Sequence, residues 1–136
     1  MRAIKKRPLL ASITGGMTVV EVTLLGVAQD GARPQAGCIQ PCCSGLTADD
    51  TMYPVSLGII DDEGEGHLIE ASRYLGEQFR IWGAASLESL WITHAHFGHV
   101  DGLGLFGKET MASRDIELHV SDEMFHLIEE TPQWAI

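Results

Sequence analysis

The chain has 136 residues, 45% hydrophobic and 21% charged, with 15 glycines and 5 prolines, the composition of one ordinary globular domain rich in turns. Nine Lys and Arg against nineteen Asp and Glu leave a formal charge of −10, a field that repels a phosphate backbone and argues against nucleic-acid binding through a basic face. No apolar run approaches the roughly 20 residues needed to span a bilayer, so the expectation is an acidic protein with no membrane partner.

From the N-terminus, Met1–Arg7 is basic and Pro8–Val20 mostly apolar, which is the layout of a secretory signal. Gly15 and Gly16 interrupt the apolar stretch and no A-x-A-like cleavage site follows. Residues 1–17 are therefore read as a tail and the protein as cytoplasmic, with export the alternative if the tail is a signal. The β-branched alternation of Thr18–Leu25 predicts a first strand. A loop over Gly26–Met52 follows, long enough inside a compact domain to be functional or stapled by a ligand. It holds all three cysteines, Cys38, Cys42 and Cys43, and an odd count that close together is a poor disulfide framework and suits a reducing compartment.

Tyr53–Asp61 and His67–Ala71 flank an acidic, glycine-bearing turn and read as an antiparallel pair. Tyr74–Trp82 has helical spacing, Ser89–Thr93 is a buried strand, and His94–Asp101 is a loop. Leu103–Met111 is predicted helical, Ile116–Val120 a strand, and a last helix is capped by Ser121 and stopped by Thr131-Pro132. This order predicts an α/β fold with a mixed sheet of about five strands and helices covering little more than one face, as in part of a larger domain. His119 and His126 lie off the apolar stripes of their elements and read as ordinary surface residues.

Three of the six histidines fall within Leu90-Trp-Ile-Thr-His-Ala-His-Phe-Gly-His-Val-Asp-Gly102. His94 and His96, at i and i+2 beyond a strand, can aim two imidazoles at one point, and His99 can reach it once the loop turns at Gly98. Neutral imidazole favours transition metals, so this is a candidate metal centre. A Cys nucleophile paired with a histidine is a weaker reading, since nothing in the sequence places the two together.

The string Thr93-His94-x-His96-x-x-His99-x-x-Gly102-Leu103 resembles the first metal-binding motif of the metallo-β-lactamase superfamily, T-H-x-H-x-D-H-x-x-G-L. The resemblance implies an αββα sandwich, of which residues 18–136 would be roughly the N-terminal half. It assigns His94 and His96 to a first metal and His99 to a second. Gly98 stands where the motif has Asp, and Asp101 is the nearby carboxylate that could take its ligand or catalytic role.

Val22-Thr-Leu-Leu-Gly26, Ala28-Gln-Asp-Gly31, Pro34–Cys38, Pro54-Val-Ser-Leu-Gly58 and His67–Ser72 are similar to the pyrroloquinoline quinone biosynthesis protein B branch. That branch implies a structural zinc in the cysteine loop; Cys38 and Cys43 match its C-x-C-x-x-C, Gln40 replaces the middle ligand, and Cys42 is an extra thiol. The implied cofactor is Zn²⁺, one or two ions, with Fe or Mn as alternatives. The implied activity is hydrolysis of a small-molecule substrate by water whose pKa a metal has lowered. Two alternatives stay open at this point: a non-catalytic binding or carrier protein, and an inactive truncated form that keeps the fold. An oligomer is left open as well.

Overall fold

The computed structural model describes residues 19–84 and 86–134; the predicted N-terminal tail over residues 1–17 lies outside them. Its strands are β1 (Glu21–Gly26), β2 (Ser56–Ile60), β3 (Gly66–Ile69), β4 (Ser89–Trp91) and β5 (Glu117–His119), and its helices α1 (Leu75–Trp82), α2 (Phe97–Val100) and α3 (Asp122–Glu130). The strands form one sheet in sequence order, with β1, β2 and β3 antiparallel and β3, β4 and β5 parallel. The mixed α/β sheet is thus as expected, and each parallel step is made through intervening helix or turn.

Register explains which face is buried. Gly58, Leu68, Leu90 and Leu118 are paired neighbours across β2 to β5 and share one face. Leu68 and Leu90 belong to a core completed by Leu25, Leu75, Trp82, Ile92, Val100 and Met124. The Trp82 ring of α1 lies so close over Gly58 that a Cβ there would fall 2.5 Å from it. On the other face Val22 and Leu24 are exposed, and Trp91 and His119, paired in register, stack with centroids 3.7 Å apart and planes at 7°. His119 is therefore half-buried against an indole, which corrects the expectation of a plain surface residue; the cross-strand neighbour, invisible in the local pattern, decides this.

Polar locks hold the connections. Asp61 accepts the backbone N–H groups of Glu63 and Glu65, each at 2.9 Å, and so closes the β2–β3 turn. Gln78, fully buried in α1, accepts from the Ser72 hydroxyl at 2.9 Å and donates to the Pro54 carbonyl at 3.0 Å. These bonds tie α1 to the segment following β3 and to the loop preceding β2.

The helix predicted over Leu103–Met111 is absent: a short 3-10 turn, Leu103–Phe106, is followed by bends. Gly102, Gly104 and Gly107 lower helix propensity, and the amides of Met111, Ala112 and Ser113 bond back to Leu105, Gly107 and Phe106 instead of propagating a helix. The predicted loop over His94–Asp101 conversely contains α2. Among the described residues no helix is long and apolar enough to cross a membrane.

Candidate metal centre

The parallel strands β3 and β4 run side by side, and their carboxyl ends release two segments into the same crevice, the place where open α/β sheets gather ligands. Glu70 follows β3 directly; Ile92, Thr93 and His94 follow β4. Backbone bonds lace the two segments together: Glu70 N–H to Trp91 O at 2.8 Å, Ala71 N–H to His99 O at 2.8 Å, and Gly102 N–H to Ala71 O at 2.9 Å. A side chain at Gly102 would strike the Ser72 carbonyl, so this lacing requires glycine there.

Glu70, His94 and His99 converge, each offering a donor atom within 4.8 Å of the other two. The His94 ring lies 4.1 Å from His99 and 4.5 Å from His96, centroid to centroid. His96 itself is mostly exposed, its side chain 73% accessible, with Nδ1 3.8 Å from Asp30 Oδ2. His99 is nearly buried between two carboxylates, Nδ1 3.3 Å from Glu70 Oε1 and Nε2 3.3 Å from Asp30 Oδ1. Its Nδ1 has no aligned hydrogen bond among the described residues. Asp101, the expected stand-in carboxylate, instead accepts from Arg73 Nε at 2.8 Å, and the Arg73 guanidinium stacks 4.1 Å over Phe97.

Hydrogen-bond accounting assigns the His94 tautomer. Thr93 Oγ1 donates its single proton to Glu70 Oε1 and lies 2.8 Å from His94 Nδ1. It can therefore only accept from that nitrogen, which leaves the lone pair of His94 on Nε2. Glu70 supports this while only 3% exposed and at φ 69°, a left-handed conformation uncommon for a non-glycine residue.

The donor chemistry fits a divalent transition metal. Tetrahedral ligands at about 2.0–2.1 Å imply donor spacings of about 3.4 Å, close to the 3.3 Å between His99 Nε2 and Asp30 Oδ1. Neither Glu70 nor Asp30 stands out as a site residue in the sequence. The available signals are a charge at the end of the apolar run Leu68–Ile69 and an Asp-Gly pair in the loop after β1, and both resemble ordinary strand-end and turn chemistry.

Cys38, Cys42 and Cys43 also come together, with all three sulfurs within 4.8 Å and Cys42 and Cys43 3.9 Å apart. Zinc–sulfur bonds of about 2.3 Å imply sulfur spacings of about 3.8 Å in a tetrahedral site. The Gln35 N–H, at 3.4 Å, does most to hold the Cys43 thiol below its ordinary pKa, helped by Cys38 and by the charge of Arg33; the bond to Cys43 pushes Cys42 up. These are free cysteines, as an odd, closely spaced set predicts.

Similar architecture occurs in solved structures. A diphosphatase of the PhnP family superposes with a TM-score of 0.71 at 22% identity, over 88% of this chain and 48% of that one. Zinc-bound PqqB from Methylobacterium extorquens superposes with a TM-score of 0.70 at 19% identity, over 87% of this chain and 44% of that one. The chain has the metallo-β-lactamase fold. Within that fold it spans a little under half of either solved chain, and the crevice beyond β3 and β4 carries the Thr-His-x-His motif. In sequence, 80 residues are 36% identical to an octanoyltransferase of Porphyromonas gingivalis, covering 59% of this chain and 16% of that protein. No protein-family model matches the chain.

Proposed function

We propose that this chain carries the metal-binding part of a hydrolase centre acting on a small-molecule substrate. The observation that carries the reading is the convergence of Glu70, His94 and His99 at the carboxyl ends of two parallel strands. A bound Zn²⁺, or Fe or Mn in its place, supplies Lewis acidity and lowers the pKa of water.

The chain's own residues do the rest. Thr93 holds His94 in the tautomer that presents Nε2, and Glu70 faces His99 Nδ1, the arrangement by which an outer carboxylate orients a ligating imidazole. His96 stands at the solvent mouth of the crevice, and Arg73 with Asp101 braces Phe97 beneath it. Asp101 in this reading positions α2 rather than touching substrate.

The likeness to a diphosphatase supports a phosphoryl substrate. The narrower reading, a step linked to pyrroloquinoline quinone synthesis, draws on the likeness to PqqB and on the loop from Val22 to Cys38. The cysteine cluster is proposed as a separate structural zinc that staples the long loop.

Metal content of the full native polypeptide tests both sites. A His94→Ala, His96→Ala variant is expected to lose the hydrolytic ion and hydrolysis of a diphosphate substrate while keeping its fold; retained metal and activity would overturn the hydrolase reading. A Cys38→Ser, Cys43→Ser variant is expected to lose one zinc and melt lower, and unchanged zinc would remove the staple.

A further inference from the structure

We infer that Asp30, in the loop after β1, is a metal-facing carboxylate of the histidine centre, taking the space that a side chain at position 98 would fill. This inference rests on the reading of His94, His96 and His99 as a metal centre. A Cβ built on Gly98 would lie 2.5 Å from Asp30 Cα, 3.0 Å from its Cβ and 2.9 Å from its Oδ1. A side chain at 98 and Asp30 are therefore alternative occupants of one volume, and here Asp30 fills it.

The carboxylate is shared between two imidazoles, Oδ1 lying 3.3 Å from His99 Nε2 and Oδ2 3.8 Å from His96 Nδ1. In the tautomer that carries its proton on Nδ1, toward Glu70, His99 presents the Nε2 lone pair beside the Asp30 oxygen at 3.3 Å, a spacing at which one divalent ion can take both as ligands. A divalent ion satisfies both at once, whereas Asp101 is already committed to Arg73.

The loop is built to hold Asp30 there. On one side Ala28 N–H bonds to Tyr53 O at 2.9 Å and Val55 N–H to Ala28 O at 3.1 Å; on the other Arg33 and Met52 exchange two backbone bonds of 2.8 Å. The turn carrying Asp30 is thus pinned at both ends to the strand that leads into β2, and Asp30 is delivered across the crevice to α2.

The test titrates apo full-length polypeptide carrying Cys38→Ser and Cys43→Ser, which removes the thiolate site from the reference and from every variant, with Co²⁺ and Zn²⁺, reading affinity and the visible cobalt spectrum, with thermal melting as the fold control. Asp30→Asn, nearly isosteric, is expected to weaken binding about 10–100-fold and change the cobalt spectrum. Asp30→Gly combined with Gly98→Asp moves the carboxylate to the other side of the shared volume and is expected to recover at least part of the affinity lost in Asp30→Gly alone. Wild-type affinity and spectrum in Asp30→Asn would overturn the inference, as would a double variant no better than Asp30→Gly. If the His94→Ala, His96→Ala variant binds Co²⁺ like wild type, the metal-centre reading fails and this inference with it. If that variant loses Co²⁺ while Asp30→Asn does not, only the role of Asp30 fails.

Discussion

Glu70 carries two penalties at once, a carboxylate removed from water and a left-handed backbone on a residue with a Cβ. What holds it is local: the hydroxyl and amide of Thr93, and the tie of its own N–H to Trp91. Asp61 is the contrasting acid, a turn residue whose carboxylate is held below its ordinary pKa first by the bond to His67 and then by the Glu65 and Glu63 amides. A depressed folded pKa means that its contribution is complete above the unfolded value of about 3.9 and is lost as pH falls through the lower folded value. The melting temperature of the wild type is therefore expected to fall more steeply below about pH 4 than that of Asp61→Asn. Melting curves from pH 5 to pH 2.5 check this, and parallel curves would contradict it.

At the scale of elements, local chemistry and neighbours divide the work. α3 is locally specified: Ser121 Oγ accepts the Met124 amide at 3.2 Å, and Asp122 and Glu123 sit in the first turn, where the helix dipole favours negative charge. Ser121→Ala is expected to cost about 1 kcal/mol, measurable as a shifted urea midpoint with unchanged slope. α1 depends on packing as well, because its buried Gln78 has partners in two other segments. The segment after Gly102 shows the opposite outcome, an apolar spacing at helical period that three glycines and a set of back-turning amides prevent from becoming a helix. Periodicity marks the face that packs, and backbone freedom decides whether a helix follows.

At the scale of the whole molecule, the described residues pack their core against one sheet face. Leu68 is fully buried, with Gly58 and Leu90 as its neighbours in register. Leu68→Ala is expected to cost about 2–5 kcal/mol, a loss of much or all of a typical domain's margin, and denaturant unfolding would read it directly. The same architecture positions the candidate centre: a parallel β3–β4 pair brings Glu70 to the histidine motif although His94 lies 24 positions after Glu70 in the chain.

The sequence by itself determined the α/β class, most strand and helix positions, the histidine cluster and the grouping of the cysteines, because period, caps and short spacings are local properties. The half-buried stack of His119 on Trp91 and the pairing of Asp101 with Arg73 were decided by neighbours distant in the chain. So was the recruitment of Glu70 and Asp30, two acids with ordinary turn-like surroundings in sequence. Strand register and a loop pinned at Ala28 and Arg33 set their distances to His99, and neither can be read from the residues on either side of them.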